Sequence, residues 1–129
     1  MARRRVAVHA TAASSRGFGP AFSTLPSSKR MVILRRADHL HFVDDVEEAH
    51  ESSRKLLLLR KELAHIAEQM RPIAELCSGE QAHACIRGLT LCHLDAVLKG
   101  REEAQRFLAG DIEAELGARG IEVILHKSA

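Results

Sequence analysis

Met31-Val32-Ile33-Leu34 constrains this chain more than any other stretch, because four apolar residues in a row run straight into the polar segment Arg35-Arg36-Ala37-Asp38-His39-Leu40-His41-Phe42. The run is too short for a helix and rich in β-branched residues. It suits a strand covered on both faces, as in a parallel sheet. Functional groups of α/β sheets gather beyond the carboxyl ends of such strands, so the two-histidine loop is the first candidate site. Asp44, Asp45, Glu47 and Glu48 follow it and open a helical segment, since acidic side chains favour a helix amino end.

The rest of the chain is mostly helical in pattern. From Val43 to about Met70, an apolar stripe of Val46, Ala49, Leu56, Leu57, Leu59, Leu63, Ile66 and Ala67 recurs near the 3.6 period, with Ser52 and Ser53 as candidate interruptions. Pro72 ends or kinks it. A second helix starts near Glu80 and presents Ala82, Ile86, Leu89, His93 and Val97 on one line and Cys85, Leu89, Cys92 and Ala96 on the next, a broad face expected to be buried. Gly100 closes it. A third helix begins at about Arg101, with Ala104, Leu108, Ile112 and Leu116 repeating every four residues and Gly117 and Gly120 as stops. Ile121 to Leu125, dominated by β-branched residues, reads as a short terminal strand.

A chain of 129 residues, 46% hydrophobic, allows one modest domain with a largely aliphatic core. With no Trp or Tyr and only four Phe, it is poorly supplied with stacking platforms for single-stranded nucleic acid. No apolar run approaches the roughly 20 residues that span a bilayer. Charge is uneven: residues 1–36 hold eight of the 19 Lys and Arg and no acid, so residues 37–129 carry 11 basic against all 17 acidic residues, a net of −6. A nucleic-acid reading therefore rests on the first segment alone. Residues 1–29, with Arg3-Arg4-Arg5, many small polar residues and the breakers Gly17, Gly19, Pro20 and Pro26, read as a basic flexible leader with little regular structure.

The segment VILRRADHLHFVDDVEEAHE, residues 32–51, resembles the catalytic-histidine loop of α/β-hydrolases, in particular dienelactone hydrolases and platelet-activating-factor acetylhydrolase-like esterases. RGLTLCHLDAVLKG, residues 87–100, is similar to the late helix of that family, and the likeness extends over about residues 31 to 110. It implies an α/β fold: the C-terminal fragment of an α/β-hydrolase, occupying residues 30–129, with the last sheet strand, the histidine loop, three mainly helical segments and a short terminal strand. It also implies that His39, followed after two residues by the aromatic Phe42, is the catalytic histidine, with His41 second. The family's small glycine near the end of the strand is replaced by Arg36. A triad histidine needs a nucleophile and an acid. No Gly-x-Ser-x-Gly elbow is present, and in that fold both partners precede the histidine. The implied activity is thus the last part of an ester or lactone hydrolase, not competent alone, with a small-molecule ester or lactone as substrate only if the missing part completes it.

Other readings of the same residues stay open. His39-x-His41 with Asp38, Asp44 and Asp45 has the donor types of a zinc-like site and is similar to the first metal motif of amidohydrolase barrels, but a barrel needs about 200 or more further residues. No metal or other cofactor is therefore assigned. Cys77, Cys85 and Cys92, odd in number and not closely paired, read as buried hydrophobes in a reducing, cytoplasmic setting. His65, His83 and His93 fall within helices and read as structural. The alternative function is a non-catalytic helical interaction module, with self-association open and no membrane or nucleic-acid partner. It is favoured if Ile121 to Leu125 pairs with Met31 to Arg35.

Overall fold

The computed structural model describes residues 5–10, as strand backbone, and residues 27–128. Strand β2 (Lys29–Leu34) lies at the centre of a three-stranded sheet, between β1 (Arg5–Ala10), which pairs with it in parallel, and β3 (Val123–Lys127), which pairs with it antiparallel. Leu34 stands opposite Val123, Val32 opposite Leu125, and the ladder is continued by the Arg35 N–H donating to Glu122 O at 2.9 Å. Both faces of β2 are closed: Val32 and Leu34 on one side, Met31 and Ile33 on the other, are all buried.

Between β2 and β3 lie a 3₁₀ turn (His39–Phe42), α1 (Val46–Leu58), α2 (Ala64–Gln69), a second 3₁₀ turn (Ile73–Glu75), α3 (Gly79–Leu98), α4 (Glu102–Ala109) and α5 (Ile112–Gly117). The architecture corrects the expected α/β-hydrolase fragment. Helix dominates, and the buried strand is completed by the chain's own terminal strand running antiparallel, not held as the last member of a doubly covered parallel sheet. The expected pairing of 31–35 with 121–125 is present in part, Val32 to Leu34 standing opposite Val123 to Leu125. β1 falls inside the 1–29 leader, whose other features, at 1–4 and 11–26, lie outside the described residues.

The core forms where one face of β2 meets α3, α4 and α5. Leu34, Leu89 and Ile112 are its largest fully buried side chains, with Cys85, Leu108 and Leu116 around them. Burying a Leu or Ile side chain completely contributes about 1.5–3 kcal/mol, so these few aliphatic groups carry much of the fold. α3 is the organising helix. Its start is fixed by a capping box, in which Ser78 Oγ accepts from the Gln81 N–H (3.1 Å) and Gln81 Oε1 accepts from the Ser78 N–H (3.0 Å). Glu47 Oε1 accepts a further free amide, the Gly79 N–H, at 2.9 Å. Gly79 is required for that approach, because a Cβ there would sit 2.9 Å from Val46 Cγ2. At the other end Gly100, at φ +64°, turns the chain out of the helix.

Three helix boundaries differ from the periodicity. The stretch 43–70 breaks into α1 and α2 at a turn between Leu58 and Ala64, while Ser52 and Ser53 continue α1. Leu56 and Leu59, expected on its apolar stripe, are exposed. The third helix is split into α4 and α5, because Gly110 is extended and Asp111 restarts the helix by accepting from the Ala114 N–H at 3.0 Å.

Candidate functional site

The loop after β2 is shaped by Arg36, which adopts φ +55°, the left-handed region that residues other than glycine rarely enter. Two bonds hold it there: its Nε donates to Glu75 O at 3.0 Å, and its carbonyl accepts from the Cys77 N–H at 2.6 Å. Asp38 then caps the 3₁₀ turn, its Oδ1 accepting from the Leu40 N–H at 2.9 Å. The turn carries His39 outward and His41 inward.

His41 is fully buried and both ring nitrogens are committed. Nε2 donates to Cys77 O at 2.9 Å, which fixes a proton on that nitrogen, and Nδ1 lies 2.9 Å from Asp38 Oδ1. The Asp38 N–H also approaches Nδ1, at 3.0 Å, but can donate to it only when the ring is neutral. Burial opposes charge on His41, yet the hydrogen bonds to Asp38 and Cys77 outweigh it and raise the pKa to about 10. At neutral pH the ring is an imidazolium donating to a carboxylate. Burial likewise opposes the Asp38 charge, and the bonds from His41 and the Leu40 amide overcome it, so its carboxyl titrates below the ordinary value. His50 of α1 is also fully buried, with Nε2 at 3.2 Å from Asp38 Oδ2 but off the hydrogen-bonding direction, and Nδ1 has no partner among the described residues. Asp38 therefore sits between two buried histidines.

This arrangement is a clamp, not a proton shuttle. A general base needs a free ring nitrogen facing the proton it takes, and His41 has none. His39 is exposed, and its ring has no hydrogen bond or ion pair among the described residues. The acid that would orient a catalytic imidazole is spent on His41. Asp44 and Asp45 are exposed on the approach to α1, and among the described residues no three His, Cys, Asp or Glu side chains are placed to hold a metal ion. The thiols are quiet as well: burial pushes Cys85 up to about 11, and burial with the Asp95 charge beside it raises Cys92 despite Arg30. Cys77, Cys85 and Cys92 are all free thiols. His83 Nε2 donates to Val43 O at 2.7 Å and ties α3 to the loop before α1; His65 is exposed on α2.

What the sequence reading did not single out is the outer side of α3. Ala82, Cys85, Leu89 and Ala96 are buried as expected, with Ile86, Cys92 and His93 half-buried, but Val97 is 46% exposed. The reason is the docking of α4 on the Cys92–Ala96 side, where Gln105 Nε2 donates to Ala96 O at 3.2 Å. Opposite the core, Leu91, Leu94 and Leu98 are 62%, 42% and 74% exposed. Their spacing of three and four residues puts them on one line. An apolar cleft of about 250 Å³ opens beside this line, lined among others by Ala84, Gly88, Cys92 and Phe107.

No protein-family model, no curated protein and no solved structure matches the chain. Among the described residues no helix is long and apolar enough to cross a membrane.

Proposed function

We propose that the protein is a non-catalytic helical interaction module, working in a reducing, cytoplasmic setting, whose docking surface is the outer face of α3. The observation that carries this reading is the exposed line Leu91-Leu94-Leu98 on the most firmly anchored helix of the fold. A stable face of this kind presents anchors without an ordering cost at the moment of binding, and a few such anchors dominate the energy of an interface. The histidine–aspartate cluster supports the same reading, since it fixes the loop and α1 against α3 and leaves no ring nitrogen poised for chemistry.

The test is site-specific photo-cross-linking in the expressing cell, with a photoreactive residue at Leu94 or Leu98 and a control at Arg54, which is exposed on α1. A discrete protein adduct from the α3 positions and none from Arg54 is expected. Equal or absent adducts at all three sites, or saturable p-nitrophenyl acetate turnover that His39→Ala abolishes, would reject the module in favour of the hydrolase reading or of neither.

A further inference from the structure

The outer face of α3 is ordered in charge as well as in apolarity. At 100° per residue, Glu80, Ala84, Arg87, Leu91, Asp95 and Leu98 fall within one strip of the helix surface, about 27 Å long at 1.5 Å per residue. Gly88 flanks the strip on one side and Leu94 on the other. A two-fold axis through Leu91, perpendicular to the helix, carries each residue onto the one equally far along in the opposite direction. Leu91 then meets Leu91, and with the helices crossed along the Arg87-Leu91-Asp95 row, Arg87 meets Asp95 at both ends of it. Each charge on that row faces its opposite.

The environments of these residues fit that exchange. A Cβ added at Gly88 would meet nothing within 4 Å, and Gly88 and Ala84 line the 250 Å³ apolar cleft, so the flank of the row is open to the close approach of a second helix. Arg87 is exposed and makes no ion pair among the described residues. Asp95 lies 2.9 Å from Lys99 Nζ and 3.6 Å from Arg101 Nη1, and its bond to Lys99 lowers its carboxyl below the ordinary value. Under the same axis, Glu80 at the start of α3 approaches the Lys99–Arg101 end of the other helix. A parallel pairing would instead set Arg87 against Arg87 and Glu80 against Glu80, which repel.

From this complementarity we infer that the occupant of the face is a second copy of this chain, packed antiparallel through α3 about a two-fold axis at Leu91; the inference rests on the docking role of that face. An isologous contact of this kind closes on itself and makes a dimer, not a filament. One helix face is small for an interface, so the dimer is a weak one, with dissociation on the micromolar scale.

Sedimentation equilibrium of the full chain over about 1 to 200 μM, around the affinity expected of so small an interface, reads it directly. A monomer–dimer equilibrium is expected, weakened about tenfold or more by Leu91→Glu. Arg87→Glu and Asp95→Arg should each weaken it, and the double variant should return to within about threefold of the parent, which only the antiparallel register allows. Leu91→Cys should give a disulfide-linked dimer on mild oxidation, because only residues near the axis bring their Cβ atoms to the roughly 4 Å a disulfide needs. Circular dichroism confirms that each variant folds. A monomer at every concentration, or a dimer untouched by these variants, overturns the second-copy assignment. In that event a Leu94 cross-link to a foreign protein leaves the docking role standing, a cross-link to residues 11–26 of the same chain replaces the partner with the protein's own segment, and no cross-link ends both.

Discussion

Asp38→Asn is the most informative single change, since it removes one charge from the clamp while keeping a residue that caps a helix turn. In the parent, His41 is stabilised as a cation with a pKa of about 10 against an ordinary 6.5. A folded-state pKa above the unfolded value gives stability that is complete below 6.5 and is lost as pH rises through about 10. One bound proton limits the slope to about 1.4 kcal/mol per pH step, and the whole effect to a ceiling of roughly 5 kcal/mol. Asp38 acts with the opposite sign: its lowered carboxyl contributes stability above the ordinary 3.8 that is lost as pH falls through the depressed value. Stability should therefore be greatest between about pH 4 and 6.5.

With asparagine at position 38 the imidazolium loses its anion, and breaking a buried pair from one side costs about 3–5 kcal/mol. The Asp38 side chain is 19% exposed, so about 2–4 kcal/mol is the reasonable expectation at pH 6. The ring then goes neutral, its bare Nδ1 accepts from the residue 38 amide 3.0 Å away, and it keeps its bond to Cys77 O. The variant should lose its pH dependence between 6.5 and 8.5 and approach the parent at higher pH. Urea unfolding followed by circular dichroism suits a chain without Trp or Tyr. The window stops short of pH 9 because Cys85, raised to about 11, adds its own loss there. A parent whose stability is flat from pH 6.5 to 8.5, with His41 ring resonances titrating near 6.5, would show that the pair carries no charge and that the argument fails.

Gly79→Ala should destabilise by about 1–3 kcal/mol in urea unfolding, since its Cβ meets Val46 at 2.9 Å and the Glu47 bond to the amide must lengthen. Gly88→Ala should instead raise stability by about 0.5–1 kcal/mol under dilute, monomeric conditions, because the position is an exposed helix interior with open space around it. Arg36→Gly should cost less than Arg36→Ala: both lose the bond to Glu75 O, but glycine adopts φ +55° without the roughly 1 kcal/mol penalty that alanine keeps. Equal losses would mean the backbone there is not strained.

β2 was legible because its signal is local and redundant: four apolar residues between charged ones can be buried only as a strand, and Ile121 to Leu125 carries the same signal. The capping residues around α3 were legible in the same way once Ser78 and Gln81 are read together. The direction in which β2 finds its neighbours was not, because an apolar run says that both faces are covered and nothing of which strands cover the edges. His39 and His41 show the other limit. They are two residues apart, and the turn that sends one outward and the other inward is decided by Asp38 capping it. The signal that could have separated them is the Asp38-x-x-His41 spacing, that of a capping residue and its third-position partner. His50, one turn after Val46 on α1, was hidden inside an ordinary amphipathic stripe. Gly110-Asp111 was a visible stop and restart that the four-residue repeat of Ala104, Leu108, Ile112 and Leu116 obscured.

The buried clamp and the exposed face are parts of one arrangement. α3 carries apolar residues on two sides, so the charges of its outer strip and the contacts at its amino end, where side chains or carbonyls from three places reach the same turn, together decide which side faces the core. His41 binds the Cys77 carbonyl, Glu47 binds the Gly79 amide, and His83 binds the Val43 carbonyl. Together they set the rotation of the helix about its axis before any core contact is counted. With that rotation fixed, Leu89 and Cys85 turn inward and Leu91, Leu94 and Leu98 turn outward. A rotation of one residue, 100°, would drive Arg87 or Asp95 toward the core and is excluded by the cost of burying an unpaired charge. Loss of the second proton from His41 leaves its bond to Cys77 O but removes the ion pair with Asp38 that steadies the ring, so the presentation of the outer face is coupled to the same titration as stability. Association measured between pH 6.5 and 8.5 should weaken in parallel with the parent's unfolding free energy, and should be weaker but pH-independent in Asp38→Asn. Association that stays constant while stability falls would separate the clamp from the face and sink this last step.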